Sequence, residues 1–189
     1  MTWCLVGSEM CIRDSPPYCG DIGMRIKRDG TWFYGDSPIG RDKLVQLFST
    51  ILRRDEDEQY YLVTPVEKIL VTVEDAPFIA TQMDVTGEGT TQKITFTTNV
   101  GDVCLACSKL PIYFEFEGDQ PSPYVHVRGK LRAKIARPVF YRLVDLAVTS
   151  QENGVDYLGV WSEGAFFSMS RVDKLLSLIH ISEPTRHHV

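Results

Sequence analysis

Arg41 and Arg137 stand at or beside the first turn of two amphipathic segments, 96 residues apart. A helix dipole disfavours a cation there by roughly 0.3–1 kcal/mol. Meeting one twice asks for a compensating negative charge. One answer is an ion pair with a carboxylate such as Glu67 or Asp21. The other is a bound anion held by free helix N–H groups and guanidinium together. Just upstream of Arg137, the even positions Tyr124, His126, Arg128, Lys130, Arg132 and Lys134 alternate with apolar Val125, Val127, Leu131, Ala133 and Ile135. Period two places the polar set on one strand face, provided Gly129 does not flip the parity through a bulge. That basic stripe is either a local anion site or the solvated face of a half-buried sheet. In Thr64-Pro65-Val66-Glu67-Lys68, Pro65 forces an extended turn, so Thr64, Glu67 and Lys68 could line a junction. Trp161, like Trp32 and Tyr34, lies in a run of glycine and aromatics, as a core anchor or as a plate for ligand stacking.

The composition closes off several other kinds of chemistry. The chain has 189 residues with 20 basic and 25 acidic side chains, a formal net charge of −5. That balance argues against backbone-driven nucleic-acid binding. No apolar run reaches the ~18 residues of a membrane-spanning helix. A soluble, cytoplasmic protein is therefore expected, without nucleic-acid or membrane partners. Apart from the chain ends, only Cys19, Cys104, Cys107 and His126 could serve as soft or imidazole ligands. A lone C-x-x-C without a histidine cluster is a weak zinc signature. Cys104 and Cys107 fall in an apolar strand-like run and read as packed thiols. No G-x-S-x-G elbow, Walker loop or G-x-G-x-x-G is present. No catalytic residue, metal or cofactor is assigned.

The ends carry a separate signal. Back-translated, residues 5–15 fit one strand of an oligonucleotide whose complement, read one frame over, encodes 176–186. Residues 1–15 and 173–189 are therefore expected to be translated sequencing adapter on a metagenomic contig, packing poorly, with the natural start lost to truncation. The alternative is a natural signal peptide and a tail.

The elements that must position these residues follow from periodicity. Leu44, Leu47, Phe48, Ile51 and Leu52 recur at i, i+3, i+4, i+7 and i+8, and so do Phe140, Leu143, Val144, Ala147 and Val148. The offset of 96 also aligns Ile39 with Ile135, Arg41 with Arg137, and Tyr61-Leu62 with Tyr157-Leu158. This predicts a duplicated unit of helix, polar turn (53–59 and 149–155) and strand. Between the copies, alternating runs at 79–85, 94–98 and 112–116 read as strands, with turns at 87–89, 99–102 and 118–123. The expectation is an α+β protein with mostly antiparallel sheets, in two domains of about 16–72 and 73–172.

The runs Pro16-Pro17-Tyr18-Cys19-Gly20-Asp21-Ile22, Gly30-Thr31-Trp32-Phe33-Tyr34, Ser37-Pro38-Ile39-Gly40-Arg41 and Thr64-Pro65-Val66-Glu67-Lys68 resemble the bacterial domain of unknown function 1285 family. Thr98-Asn99-Val100-Gly101-Asp102, Tyr124-Val125-His126-Val127-Arg128-Gly129 and Gly159-Val160-Trp161-Ser162-Glu163-Gly164-Ala165-Phe166-Phe167 extend that resemblance across 16–172. The resemblance implies two domains with internal duplication, the second superficially like a pleckstrin-homology fold. It also implies a nucleotide-like ligand at the domain interface and a role in signal transduction. Three readings follow. The first is a non-enzymatic ligand-binding module using Arg41, Thr64, Glu67, Lys68, His126, Arg128, Arg137 and Trp161. The second is a phosphoester hydrolase using Asp21, Glu67 or Asp102. The third is a module that binds a protein partner through an exposed sheet edge.

Overall fold

The computed structural model describes residues 18–117 and 120–172. The two ends read as adapter, and the expectation about their packing, lie outside those residues. The described chain holds two helices, α1 (Asp42–Ile51) and α2 (Arg137–Asp145), and fifteen strands. The first six strands are β1 (Tyr18–Ile26), β2 (Trp32–Tyr34), β3 (Ser37–Pro38), β4 (Leu52–Arg54), β5 (Tyr60–Val63) and β6 (Lys68–Val73). The next six are β7 (Phe78–Thr86), β8 (Lys93–Thr98), β9 (Val103–Leu105), β10 (Ile112–Glu117), β11 (Gln120–Arg128) and β12 (Leu131–Ile135). The last three are β13 (Val148–Glu152), β14 (Val155–Ser162) and β15 (Ala165–Arg171).

Three-stranded meanders are the building unit. The first sheet, ordered β3-β2-β1-β6-β5-β4, joins two of them through the parallel pair β1·β6. The second, β10-β11-β12-β7-β8-β9, joins two more through the parallel pair β7·β12. The fifth meander, β13-β14-β15, stands as its own sheet and lays β15 against β10. All remaining pairings are antiparallel, so each large sheet is mixed at one ladder only. Strand β11 begins inside the stretch expected to be a turn, with Pro121 and Pro123 facing β10 alone, before the pairing with β12 starts at Tyr124. A strand edge is where proline is tolerated, since no ladder N–H is lost there.

The offset of 96 runs through the structure. α1 with β4, β5 and β6 has the same order and spacing as α2 with β13, β14 and β15. In the first half this unit follows β1–β3 and pairs β6 with β1. In the second half the meander β10–β12 sits between β7–β9 and α2, and takes the place beside β7. The last apolar position expected of each helix, Leu52 and Val148, and the first residues of each expected polar turn instead begin strands. Leu52 pairs with Leu62 and Arg53 with Tyr61, and Val148 pairs with Gly159 and Thr149 with Leu158.

Both helices bury a face turned by about one residue from the expected one. α1 directs Val45, Phe48, Ser49 and Ile51 inward, with Phe48 stacked on Trp32 at 6.2 Å, while Leu47 is 58% exposed. α2 buries Val139 and Leu143 against β7 and β14, while Val144 and Val148 are 38% and 46% exposed. The core is continuous between the sheets: Ile26, Trp32 and Val71 belong to one cluster with Phe78, Phe96, Val125 and Val160.

Candidate functional site

The two large sheets meet at a cleft of about 430 Å³, walled on one side by the C-terminus of α1 and by β4, and on the other by the β11–β12 turn. Its lining is Thr50, Leu52, Arg53, Arg54, Asp55, Arg128, Gly129, Lys130 and Leu131. The turn is short because Arg128 pairs with Leu131, leaving only Gly129 and Lys130 between them. Gly129 has φ +52, which glycine adopts without cost and which suits the first corner of a two-residue hairpin. The turn aims Lys130 into solvent at the cleft mouth.

Arg128 is the cleft's structural centre. Its guanidinium donates to Asp102 and, from the second sheet to the helix of the first half, to the backbone oxygen of Ser49, while lying 5.5 Å from the centre of the Phe78 ring. Ser49 belongs to the last turn of α1, where its carbonyl also accepts from Leu52 N and no basic residue of the helix itself is present. A cation from the second sheet therefore caps a helix of the first half and complements its dipole. Asn99 makes a second cross-link, accepting from Ile79 N at 3.0 Å and donating to Gly30 O at 3.4 Å. Gly30 has φ +79, and a Cβ there would come within 2.8 Å of Asn99 Nδ2, so this approach requires glycine.

The remaining cations differ in how they are engaged. Arg54 donates to Glu58 O at 3.2 Å and sits over the Tyr60 ring. Asp55, the one carboxylate in the lining, is ion-paired with Lys68. Arg53 and Lys130 are exposed and have no ion-pair partner among the described residues. A neighbouring hollow of about 460 Å³ shares Arg54, Asp55 and Lys130 but adds Glu56 and Asp57. The positive lining is thus confined to the first cleft.

The basic stripe splits in two. A register shift between His126 and Arg128 pairs Arg128 with Leu131, whereas His126 pairs with Arg132 and Tyr124 with Lys134. That shift falls before Gly129, the position where a parity change was considered, and Arg128 and Lys130 line the cleft. Arg132 and Lys134 are neutralised elsewhere. Lys134 donates to Asp75 at 2.6 Å, and Arg132 reaches Glu115 at 2.5 Å while covering the Tyr124 ring at 4.4 Å. Tyr124 also donates to Asp75, at 2.7 Å. Partial burial works against the charge on Asp75, but Lys134, Tyr124 and Arg132 outweigh it and hold its pKa below the usual carboxylate value. Burial, then the bond to Asp75, pushes the Tyr124 phenol up. His126 leans on Tyr113 with ring centres 5.6 Å apart.

Of the residues chosen from sequence, Arg128 lines the cleft and Lys68 joins it through Asp55. Arg41 caps α1 with its backbone oxygen, which accepts from Val45 N, and Asp42 follows it in the first turn. Arg137 begins α2 with Pro138 beside it. Both guanidinium groups are exposed, without ion-pair partners among the described residues, and neither lines the cleft. The Thr64 hydroxyl accepts from Glu67 N at 3.0 Å, closing its own turn, and Glu67 points outward. Trp161 tilts against Phe166 at 5.2 Å, and its backbone oxygen accepts from the Gln92 amide. Asp21 accepts from Gly23 N and Asp102 is engaged by Arg128, so the three carboxylates of the hydrolase reading share no hydrogen-bond partner.

Among the described residues no group of three His, Cys, Asp or Glu could hold a metal ion. Cys104 is buried and Cys107 half-buried. Burial, with Asp102 nearby, pushes the Cys104 thiol up to about 11, which leaves it unreactive near neutrality. Sequence reasoning missed Arg53, Arg54 and Asp55. A dibasic pair directly after a helix, in an acidic chain, was the available signal.

Two models of one family match the chain. The domain of unknown function DUF1285, N-terminal domain, matches residues 13–76, and the protein of unknown function DUF1285, C-terminal domain, matches 77–169. A crystal structure of a DUF1285 family protein from Silicibacter pomeroyi DSS-3 is 49% identical, covering 86% of this chain and 87% of its own, with a TM-score of 0.79. Another, from Shewanella baltica OS155, is 27% identical, covering 65% of this chain and 91% of its own, with a TM-score of 0.52. No curated protein matches the chain.

Proposed function

This chain belongs to the DUF1285 family, and on that footing we propose that it is a non-enzymatic binding module that holds a nucleotide-like anion in the cleft between its two domains, 16–72 and 73–172. The observation that carries this reading is the lining itself. Arg53, Arg54, Arg128 and Lys130 surround one carboxylate, Asp55, which Lys68 already neutralises, in a protein of net negative charge. Leu52 and Leu131 give the cleft an apolar wall against which a ring can lie. Arg53 and Lys130, held by no carboxylate, supply the attraction, while Arg128, already satisfied, fixes the distance between the walls.

Of the residues first singled out, Arg128 and Lys68 remain in this site. Arg41 and Arg137 are cations at a distance from it and serve as controls. A cytoplasmic signalling role belongs to the same proposal, as does a pleckstrin-homology-like character for β7–β15 with α2. No helix of the described chain is long and apolar enough to cross a membrane.

Thermal-shift screening against nucleotides and inorganic phosphate tests the reading. A ligand at 100 times its Kd should add about 2.7 kcal/mol of stability. Arg53→Ala and Lys130→Ala should weaken binding at least about tenfold, some 1.4 kcal/mol, while Arg41→Ala and Arg137→Ala leave it unchanged. Absence of a shift with every anion, or equal loss in all four variants, refutes it.

A further inference from the structure

Strand β13 carries none of the features that keep a sheet edge from pairing with another chain. The edges of the first sheet are β3, two residues long with Pro38, and β4, with Arg53 and Arg54. In the second sheet β9 has three residues and β10 carries Glu115. β15 lies against β10 and has a register shift. β13, Val148-Thr149-Ser150-Gln151-Glu152, has neither proline, bulge nor central charge. Such an edge is a template for strand addition.

The register shows which groups it offers. Glu152 pairs with Val155 across a two-residue turn in which Asn153 and Gly154 have φ +53 and +78. A turn of that kind closes on a hydrogen-bonded pair. By alternation, the N–H and C=O groups of Glu152, Ser150 and Val148 face β14, while those of Thr149 and Gln151 face outward.

We propose that β13 pairs with the β13 strand of a second copy of this chain, antiparallel about a two-fold axis at Ser150. This inference is independent of the anion cleft. In that register Thr149 lies opposite Gln151 of the second copy, so outward donors and acceptors meet in both directions and all five residues are paired. Val148 faces the second copy's Glu152, and no like charges stand opposite one another. The edge is thus its own complement in hydrogen bonding and in charge, which singles out an identical strand as occupant. Exposed Tyr141 (65%) and Val144 (38%) on α2, leading into Val148, add apolar surface beside the strand. A contact of this size is at the weak end of specific interfaces.

Sedimentation equilibrium of the full chain should show a mass rising from 21.4 kDa toward twice that value as concentration increases to about 0.5 mM. Hydrogen exchange should slow with concentration at the Thr149 and Gln151 amides, while Ser150 and Glu152, bonded to β14, stay unchanged. Gln151→Pro removes an outward donor that β14 does not use, and Ser150→Lys sets two cations face to face on the axis. Each should weaken association at least about tenfold without changing the melting of the monomer. A monomer mass at the highest concentration overturns the proposal, as does a dimer that survives both variants. Concentration-independent protection of Thr149 and Gln151 in a monomer also overturns it, by assigning the edge to another segment of the same chain.

Discussion

Replacing Arg128 by alanine should weaken the junction of the two halves more than any other single change at the cleft. Three contacts go together: the cap on Ser49 O, the ion pair with Asp102, and the position over Phe78. A hydrogen bond from a charged donor contributes about 1.5–3 kcal/mol where water is excluded. The Arg128 side chain is 36% exposed, so water can replace part of it and about 1 kcal/mol is the better figure. The ion pair, open to solvent on both sides, contributes about 0.2–1 kcal/mol, and the ring contact about 0.5–1 kcal/mol. The three overlap, and a loss of about 2 kcal/mol is expected, or roughly 4–8 °C in Tm for a chain of this length. Urea and thermal unfolding measure it. Arg128→Lys should recover less than half, because an ammonium cannot reach Ser49 O and Asp102 in the same fork. Lys130→Ala should leave stability within about 0.5 kcal/mol of wild type. An Arg128→Ala variant within that same margin would refute the view that this side chain holds the halves together.

Other outcomes follow from the same geometry. Gly159→Ala would place a Cβ 2.4 Å from Phe167 O and 2.6 Å from the Phe166 ring, so β14 and β15 must separate; unfolding should show a cost of about 1–3 kcal/mol or more. The folded pKa of Asp75 is lowered, so its contribution is present above the unfolded value and is lost as pH falls through the folded one, below about pH 4. Asp75→Asn should therefore lower stability at neutral pH and flatten the acid limb of a stability-against-pH curve; an unchanged limb would remove the network from that role. Cys104 should be alkylated by iodoacetamide at pH 8 much more slowly than Cys107, as read by peptide mass spectrometry, because it is buried and its pKa is about 11. Comparable rates would mean that β9 opens readily.

The sequence made local order legible where a periodic pattern coincided with burial. Val125, Val127, Ala133 and Ile135 alternate and are buried, and the helices appear where the apolar spacing places them. What it could not show is which neighbour arrives from far along the chain. Leu47 and Leu143 occupy equivalent positions, yet one is exposed and the other fully covered: β14 packs on α2 as β5 does on α1, but α2 also packs against β7. Arg132 and Lys134 looked available until Asp75 and Glu115 were brought against them. The cleft shows the same limit. Arg53 and Arg54 read as part of a polar turn, and only the pairing of Leu52 with Leu62 puts them opposite Arg128 and Lys130. The parallel ladders have no local signature, since neither β1 with β6 nor β7 with β12 is joined by a short connection.

Those two parallel ladders have a consequence for how the chain reaches its native state. Each meander closes through neighbours a few residues apart and can form quickly, whereas β1 must find β6, and β7 must find β12, across roughly fifty intervening residues, with the loop-closure entropy met before any reward arrives. Assembly should therefore be gated at these seams, and α2 with the last meander can dock only on a surface that the second seam completes. Substitutions at Ile69 or Ala133 should slow refolding, while changes in the outer hairpin turns should mainly hasten unfolding.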